Sequence, residues 1–285
     1  MTIIEKINAA VAHIRSLYPV KPATGVILGS GLGNFTHEML VEKEIPYQEI
    51  PHFPVSTVEG HSGKLILGRI HGKPVAVMAG RFHFYEGYPA EEVIFPVRVL
   101  KFLGVHQLLV SNAAGGVNPG FRVGDLMVIT DHISFATVNP LVGKNEPALG
   151  PRFPDMSQPY SKVLINLARE VAATQPQPAG HQTGSAGHGI DLKQGVYFGV
   201  TGPTFETRAE YKMIQKLGAD AVGMSTVQEV IAACHMGLPV FAVSVITDIG
   251  IRDEENIITH EEVLEAGRVL VPKLEKLIRG TLKAL

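Results

Sequence analysis

Residues 24–33 read TGVILGSGLG, a short apolar run that leads directly into a glycine-rich turn. The aliphatic residues predict a buried strand over residues 25–28. The glycine-rich turn after it is typical of an anion-binding site, in which free backbone N–H groups surround the anion and the Ser30 hydroxyl adds a further donor. An ordinary tight turn after a strand explains the same segment, so its meaning depends on the rest of the chain.

Apolar runs of this kind recur along the chain, and most are rich in β-branched residues. They predict further strands at residues 64–67, 75–78, 107–110, 125–129, 196–200, 221–224 and 240–246. Helical periodicity lies around them, at residues 1–19, 90–103, 161–173, 206–217, 226–235 and from about 261 onward. Pro96 is expected to kink the second of these helices. The alternation predicts an α/β fold, a single domain over residues 1–285 with a mixed, largely parallel central sheet flanked by helices.

Composition narrows the class of partner. The 285 residues carry a formal net charge of -2, which argues against broad binding to nucleic acid or to anionic membranes. The single cysteine, Cys234, rules out an intrachain disulfide framework and suggests a reducing compartment. The longest uncharged stretch, residues 230–247, contains glycine and proline and does not resemble a membrane span. We therefore expect a cytoplasmic protein that acts on small molecules.

One segment has the composition of a loop or insertion. Residues 175–188, QPQPAGHQTGSAGH, lack apolar periodicity, and the sequence does not indicate their role. His181 and His188 lie there without a cysteine or carboxylate at ligand spacing, so a solvated loop is favoured over a metal site. No metal site is expected.

A second chemical motif is GRFHFYEGYP at residues 80–89, directly after a predicted strand and so at the carboxyl edge of the sheet. Ligands bind at such edges. Arg81 offers a planar fork that matches phosphate, and His83 lies on the same side of an extended segment. A surface ion pair for Arg81 and a structural role for His83 are the competing interpretations.

Two further strand ends carry small polar residues. SNAAGG at residues 111–116 lets a ligand approach the backbone, and VGMST at residues 222–226 places Ser225 and Thr226 at a helix N-terminus. Helix capping explains Ser225 and Thr226 as well as anion binding does. Several such ends on one sheet edge favour a binding site.

Taken together, seven ordered motifs resemble the trimeric purine nucleoside phosphorylases. The resemblance runs from about Ile27 to Gly267, and its motifs are GSGLG, VEGHSGKL, GRFHFYEGYP, NAAGG, GPTFET, GADAVGMSTVQEV and THEEVLEAG. It implies a homotrimeric pentosyltransferase of purine salvage that needs no cofactor and uses inorganic phosphate as co-substrate.

The resemblance also implies a role for individual residues. Its phosphate-binding residues would be Ser30, His61, Arg81, His83, the backbone at Ala113, and Ser225. Tyr85, Met224 and His260 would contact the ribose, and Phe153 would complete the site of a neighbouring subunit. Phe205, Glu206 and Asp248 would bind the base, with His83, Glu206, Asp248 and His260 as the catalytic residues. A first-turn helix position for Glu206 and a capping role for His260 are the alternatives.

Asp248 departs from the family pattern, because the 6-oxopurine enzymes usually have asparagine there. An ionised aspartate only accepts hydrogen bonds, which suits a 6-amino group and a protonated N7. Methylthioadenosine phosphorylases resemble this chain at that position, whereas Glu206 favours the N1–H of a 6-oxopurine. Two carboxylates at one purine can share a proton. We expect 6-oxopurine cleavage with some tolerance for adenosine, and a methylthioadenosine or adenosine preference is the alternative.

Two hypotheses from other classes compete. One is a dinucleotide-dependent oxidoreductase, whose glycine motif requires a third glycine at position 34, where this chain has Asn34. A non-catalytic nucleoside or phosphate binder would keep the fold without the reaction.

Overall fold

A computed structural model describes residues 1–29, 39–58, 62–174, 189–251 and 260–285, without the side chains of His260 and residues 262–270. Nine strands form its sheet: β1 (Thr24–Ile27), β2 (Leu40–Pro46), β3 (Lys64–Ile70), β4 (Lys73–Ala79), β5 (Gln107–Gly116), β6 (Leu126–Ala136), β7 (Leu192–Val200), β8 (Ala221–Gly223) and β9 (Val240–Ile249). Their order is β2-β3-β4-β1-β5-β8-β7-β6-β9. Parallel pairing joins β1 to β4 and β5, β5 to β9, and β7 to β6 and β8. The predicted mixed, largely parallel sheet is confirmed.

Strand β5 joins the two halves of the sheet. Its first residues pair with β1, Leu108 onward pairs with β9, and Gly115 and Gly116 pair with β8. Because β6 also pairs with β9, the strands β5, β8, β7, β6 and β9 close into a ring. The carboxyl ends of β1, β4, β5 and β9 consequently meet on one side.

The helices are α1 (Ile3–Leu17), α2 (Ala90–Val93), α3 (Phe95–Leu103), α4 (Lys162–Thr174), α5 (Arg208–Lys216), α6 (Val227–His235) and α7 (His260–Ala284). The helix predicted at residues 90–103 is interrupted at Ile94, and Pro96 lies in the first turn of α3 instead of kinking a continuous helix. A proline is tolerated in that turn because no intrahelical N–H bond is lost.

The sequence analysis did not predict strand β2. Its segment LVEKEIP has charged residues at 42–44 and is exposed over most of its length, so it lacks the apolar run of a buried strand. It pairs with β3 alone at the edge of the sheet. Charges on an edge strand discourage further pairing.

The main hydrophobic core lies between the sheet and its helices and extends from Ile7 of α1 to Leu282 of α7. A second, smaller cluster contains Phe198, Tyr211, Ile214 and Val222. Close backbone packing brings the end of β1 onto β5, since a Cβ on Gly29 would lie 2.9 Å from Asn112 Cα. Position 29, two residues past the end of β1, therefore needs to be glycine.

Candidate active site

A cavity of about 490 Å³ opens where the strands end. Its lining includes nine of the residues predicted to form the site: Arg81, His83, Tyr85, Ala113, Phe205, Glu206, Met224, Ser225 and Asp248. The fold thus brings together segments that are as distant in the chain as Arg81 and Asp248. Ser30, His61 and the side chain of His260 lie outside the described residues.

Phe153 is not part of the lining of this cavity. It is 87% exposed and borders a separate groove with Val142 and Arg152. The Arg152 guanidinium carbon is 5.7 Å from the centre of its ring. A phenylalanine so exposed in a single chain is a candidate for contact with another chain.

At one end of the cavity, Arg81 is almost fully buried and fixed on two sides. Its Nε and Nη2 donate to the two carboxylate oxygens of Glu229 at 3.0 and 2.9 Å. Its Nη1 donates to the Ser111 carbonyl at 2.6 Å and lies 3.4 Å from the Ser225 hydroxyl. The surface ion pair considered for Arg81 is wrong, because this pair is buried.

His83 is held by Glu86. One carboxylate oxygen of Glu86 lies 3.0 Å from His83 Nδ1 and accepts from the His83 backbone N–H, while the other accepts from the N–H and hydroxyl of Thr57. With Nδ1 as the donor, the lone pair of the neutral ring is on Nε2. Burial and then the charge of Arg81 lower the pKa of His83, although its hydrogen bond with Glu86 opposes the shift.

Ser225 is presented by a tight turn. The Val227 N–H donates to the Ser225 carbonyl at 2.7 Å, and Thr226 between them has φ 71° and ψ -50°. This is a rare γ-turn for a β-branched residue. Asn112 Nδ2 donates to the Thr226 hydroxyl at 2.8 Å. Thr226 forms no side-chain cap bond on α6, and its hydroxyl instead contacts Asn112 and, at 3.3 Å, the Ser225 hydroxyl.

Two carboxylates that interact with each other, Glu206 and Asp248, also line the cavity. Glu206 precedes Thr207, the N-cap of α5, and the first-turn acid of that helix is Glu210, so the alternative placing Glu206 in the first turn is wrong. Burial raises the pKa of Glu206 first and the charge of Asp248 adds to it, against hydrogen bonds from its own backbone and from Tyr211. The Thr247 hydroxyl donates to Asp248 at 3.1 Å.

Tyr85 stacks on His83 with ring centres 4.7 Å apart. Met224 packs against Gly202, where a Cβ would lie 2.4 Å from the Met224 sulfur. Tyr85 and Met224 add apolar surface to the lining of the cavity.

Four residues of the site were not found by the sequence analysis: Glu86, Asn112, Tyr211 and Glu229. Glu86 and Asn112 lie within quoted motifs, but only the fold shows that Glu86 bonds His83 and Asn112 bonds Thr226. Glu229 lies inside a helix, where an acidic residue carries no local signal, and it pairs with Arg81 across 148 positions.

Comparison with known proteins identifies the family. The model of the phosphorylase superfamily matches residues 23–283. Purine nucleoside phosphorylase 1 of Geobacillus stearothermophilus is 50% identical over 91% of this chain and 90% of its own length. The chain belongs to the purine nucleoside phosphorylase family. The resemblance stated from the motifs is thereby confirmed, and the named relative is an enzyme of the pentosyltransferase class.

Solved structures of purine nucleoside phosphorylases have a fold similar to that of this chain. A Schistosoma mansoni purine nucleoside phosphorylase in complex with adenosine is 41% identical, covers 99% of this chain and 98% of its own, and superposes with a TM-score of 0.90. A schistosoma enzyme in complex with hypoxanthine is 40% identical with a TM-score of 0.88 and covers 99% of this chain and 98% of its own. Neither relative supports the oxidoreductase alternative.

Two further observations on the described part of the chain concern a metal site and a membrane span. No group of three or more His, Cys, Asp or Glu side chains there is arranged to hold a metal ion. Among the described helices, none combines the length and apolarity needed to cross a bilayer.

Proposed function

We propose that the protein catalyses the reversible phosphorolysis of purine ribonucleosides and deoxyribonucleosides, giving the free base and pentose 1-phosphate. The observation that carries this proposal is a cavity lined by two chemically different groups. Arg81, His83 and Ser225 form one group, which we call the phosphate end, and the carboxylates Glu206 and Asp248 form the other. Donors suited to phosphate and acceptors suited to a purine in one cavity support this reaction.

Phosphate would be held by Arg81, His83, Ser225 and the backbone at Ala113, with Ser30 and His61 assigned by family resemblance. A phosphate oxygen forms the new bond to C1′ as the bond from C1′ to N9 breaks. The proton that HPO4²⁻ loses on becoming an ester balances the proton that the leaving purine takes up at N7. The phosphate charge stabilises the developing positive charge on the sugar. Positioning of the reactants supplies roughly 7–11 kcal/mol of barrier reduction, and electrostatic stabilisation of the leaving purine adds to it.

The ribose would lie between Tyr85 and Met224, with His260 near its 5′-hydroxyl. Phe153 would cover the sugar in a neighbouring subunit, which requires an oligomer, and by family resemblance this oligomer is a homotrimer. The 87% exposure of Phe153 in the single chain supports this assignment.

The base would stack on Phe205 between Glu206 and Asp248. We assign 6-oxopurines as the preferred bases, because the N1–H of hypoxanthine or guanine suits Glu206, with some tolerance for adenosine through Asp248. An enzyme that prefers methylthioadenosine or adenosine is the alternative that Asp248 favours. The solved relatives were crystallised with adenosine and with hypoxanthine.

Three further assignments belong to the same proposal. The enzyme needs no metal or organic cofactor, because phosphate is itself the nucleophile. Residues 1–285 form one phosphorylase domain, supported by a main core that runs from α1 to α7. The protein acts in the cytoplasm in purine salvage, consistent with its composition.

A substrate panel tests the proposal. Inosine, guanosine, adenosine and methylthioadenosine are each incubated with enzyme and phosphate, and released base is measured. We expect phosphate-dependent release from inosine and guanosine and slower release from adenosine. Activity confined to methylthioadenosine would overturn the base assignment, and binding without any base release would favour the non-catalytic binder. His83→Ala should raise the KM for phosphate.

A further inference from the structure

The phosphate end contains a buried carboxylate that does not face the substrate. Glu229 is 4% exposed, lies on α6 and is not among the described residues that line the cavity. Its two oxygens engage the side of the guanidinium formed by Nε and Nη2 of Arg81. That side is the planar fork otherwise suited to a bidentate anion.

Arg81 is therefore presented to phosphate in one orientation. With the Nε and Nη2 side held by Glu229, the opposite nitrogen Nη1 lies between the Ser111 carbonyl and the Ser225 hydroxyl. Both Arg81 and Ser225 border the cavity. A guanidinium is planar, so fixing two of its nitrogens fixes the third.

Glu229 also balances charge. Arg81 is 1% exposed, and a buried cation without a counterion is strongly disfavoured. The pair lets the arginine stay buried when no phosphate is bound. A carboxylate near an anion site opposes anion binding, so a role limited to charge and a role in orientation predict opposite effects on phosphate affinity.

We propose that Glu229 is a positioning residue for phosphorolysis, which orients Arg81 so that its Nη1 meets phosphate beside Ser225. This inference rests on the proposed function, since it concerns the phosphate of that reaction. A first-turn acid that merely favours the α6 dipole is the competing explanation.

Glu229→Gln tests the assignment, because its amide accepts one hydrogen bond from Arg81 but turns a donor toward the second N–H. We expect kcat/KM for phosphate to fall about 10- to 100-fold, the loss typical of a misplaced binding group. The KM for inosine at saturating phosphate should change less than about twofold on the same argument. Gln228→Ala is the matched control, as it removes a buried polar side chain one position away that bonds the Val138 carbonyl.

The outcomes separate the explanations. A lower KM for phosphate in Glu229→Gln would show a charge role only, and unchanged phosphate kinetics with reduced melting temperature, as in Gln228→Ala, would show a structural role; either overturns the inference. If Glu229→Gln does not fold, Glu229→Asp keeps the charge with a shorter reach and should still weaken phosphate use selectively. Failure of the wild-type enzyme to release base with phosphate would instead contradict the proposed function.

Discussion

Glu86 connects the histidine of the phosphate end to the segment around Thr57. Although burial alone would raise it, hydrogen bonds from His83 and Thr57 lower the pKa of the Glu86 carboxyl from 4.5 to about 2. Because the folded pKa is the lower one, this carboxylate stabilises the fold above pH 4.5. The contribution is lost as the pH falls through the folded pKa.

We therefore predict that Glu86→Gln flattens the acid limb of stability. As the pH falls from 4.5 to about 2, the range between the two pKa values, the wild type should lose more free energy of unfolding than the variant. Thermal unfolding followed by circular dichroism measures this difference. Glu92→Gln, which removes an exposed carboxylate of the same charge from α2, is the control and should behave like the wild type. Parallel curves for the wild type and Glu86→Gln would contradict the prediction.

A second prediction concerns the carboxylates that face the base. One proton on the pair makes the site complementary to either purine class: on Asp248 it is donated to O6, and on Glu206 it is donated to the N1 of adenine. Burial, with the charge of Asp248, raises the pKa of Glu206, and this direction favours a proton kept on the pair. Wild-type activity on inosine and on adenosine should therefore fall together as the pH rises.

Asp248→Asn and Glu206→Gln separate the two patterns. The asparagine amide donates to O6 without a titrating proton, so inosine cleavage should persist to higher pH while adenosine cleavage drops about tenfold through a mispaired polar group. Glu206→Gln should retain adenosine cleavage and lose guanosine cleavage. The measurement is kcat/KM against pH for each nucleoside, and superimposable profiles for the wild type and Asp248→Asn would count against the shared proton.

At this scale the sequence predicted the residues that line the cavity better than the residues behind them. Arg81, His83 and Ser225 stand next to strand ends in glycine-rich segments, where local pattern indicates a ligand. Glu229 carries no such pattern, because its partner is distant in sequence and is reached only through the packing of α6 against the sheet. The anion role of Arg81 was predicted, but the occupation of its fork was not.

Among the elements, the turn at Ser225, Thr226 and Val227 is the most strained described segment of the site. A positive φ at a β-branched residue is unfavourable and persists only when surrounding contacts enforce it. Asn112, from the middle of β5, supplies one such contact, since its Nδ2 donates to the Thr226 hydroxyl. The strand and the turn therefore hold Ser225 together.

We predict that Asn112→Ala lowers the free energy of unfolding by about 1–3 kcal/mol and raises the KM for phosphate, because the turn loses its clamp. Melting temperature and steady-state kinetics measure the two effects. Thr226→Ser keeps the hydroxyl that Asn112 binds and should stay closer to the wild type in both. A stability loss in Asn112→Ala without any change in phosphate KM would separate the turn from catalysis.

The predictability of the elements follows from burial. Strands β4, β5 and β9 each contain a buried apolar run, and the sequence predicts them from that run. Strand β2 is an exposed edge and was missed. The closure of β5, β8, β7, β6 and β9 into a ring was also not predicted, because pairing partners depend on contacts between distant segments.

At the scale of the whole molecule, substitutions at Phe153 can test whether neighbouring subunits share an active site. If it covers the sugar in a neighbouring site, Phe153→Ala should reduce kcat/KM for inosine while leaving the fold of each subunit unchanged. Mixing Phe153→Ala with His83→Ala after dissociation and reassembly should then restore activity, since mixed trimers contain some sites with both groups intact. Analytical ultracentrifugation verifies reassembly, and no recovery in verified mixed trimers would contradict the shared site.

The position of β5 has a consequence for hydrogen exchange. Its backbone pairs with β1, β9 and β8, and Leu108, Leu109 and Val110 are buried between covering layers. Amides in such a place exchange with deuterium only when the structure opens globally. Exchange rates along β5 would therefore report the full unfolding free energy of the subunit under native conditions, where denaturant titration of an oligomer mixes dissociation with unfolding.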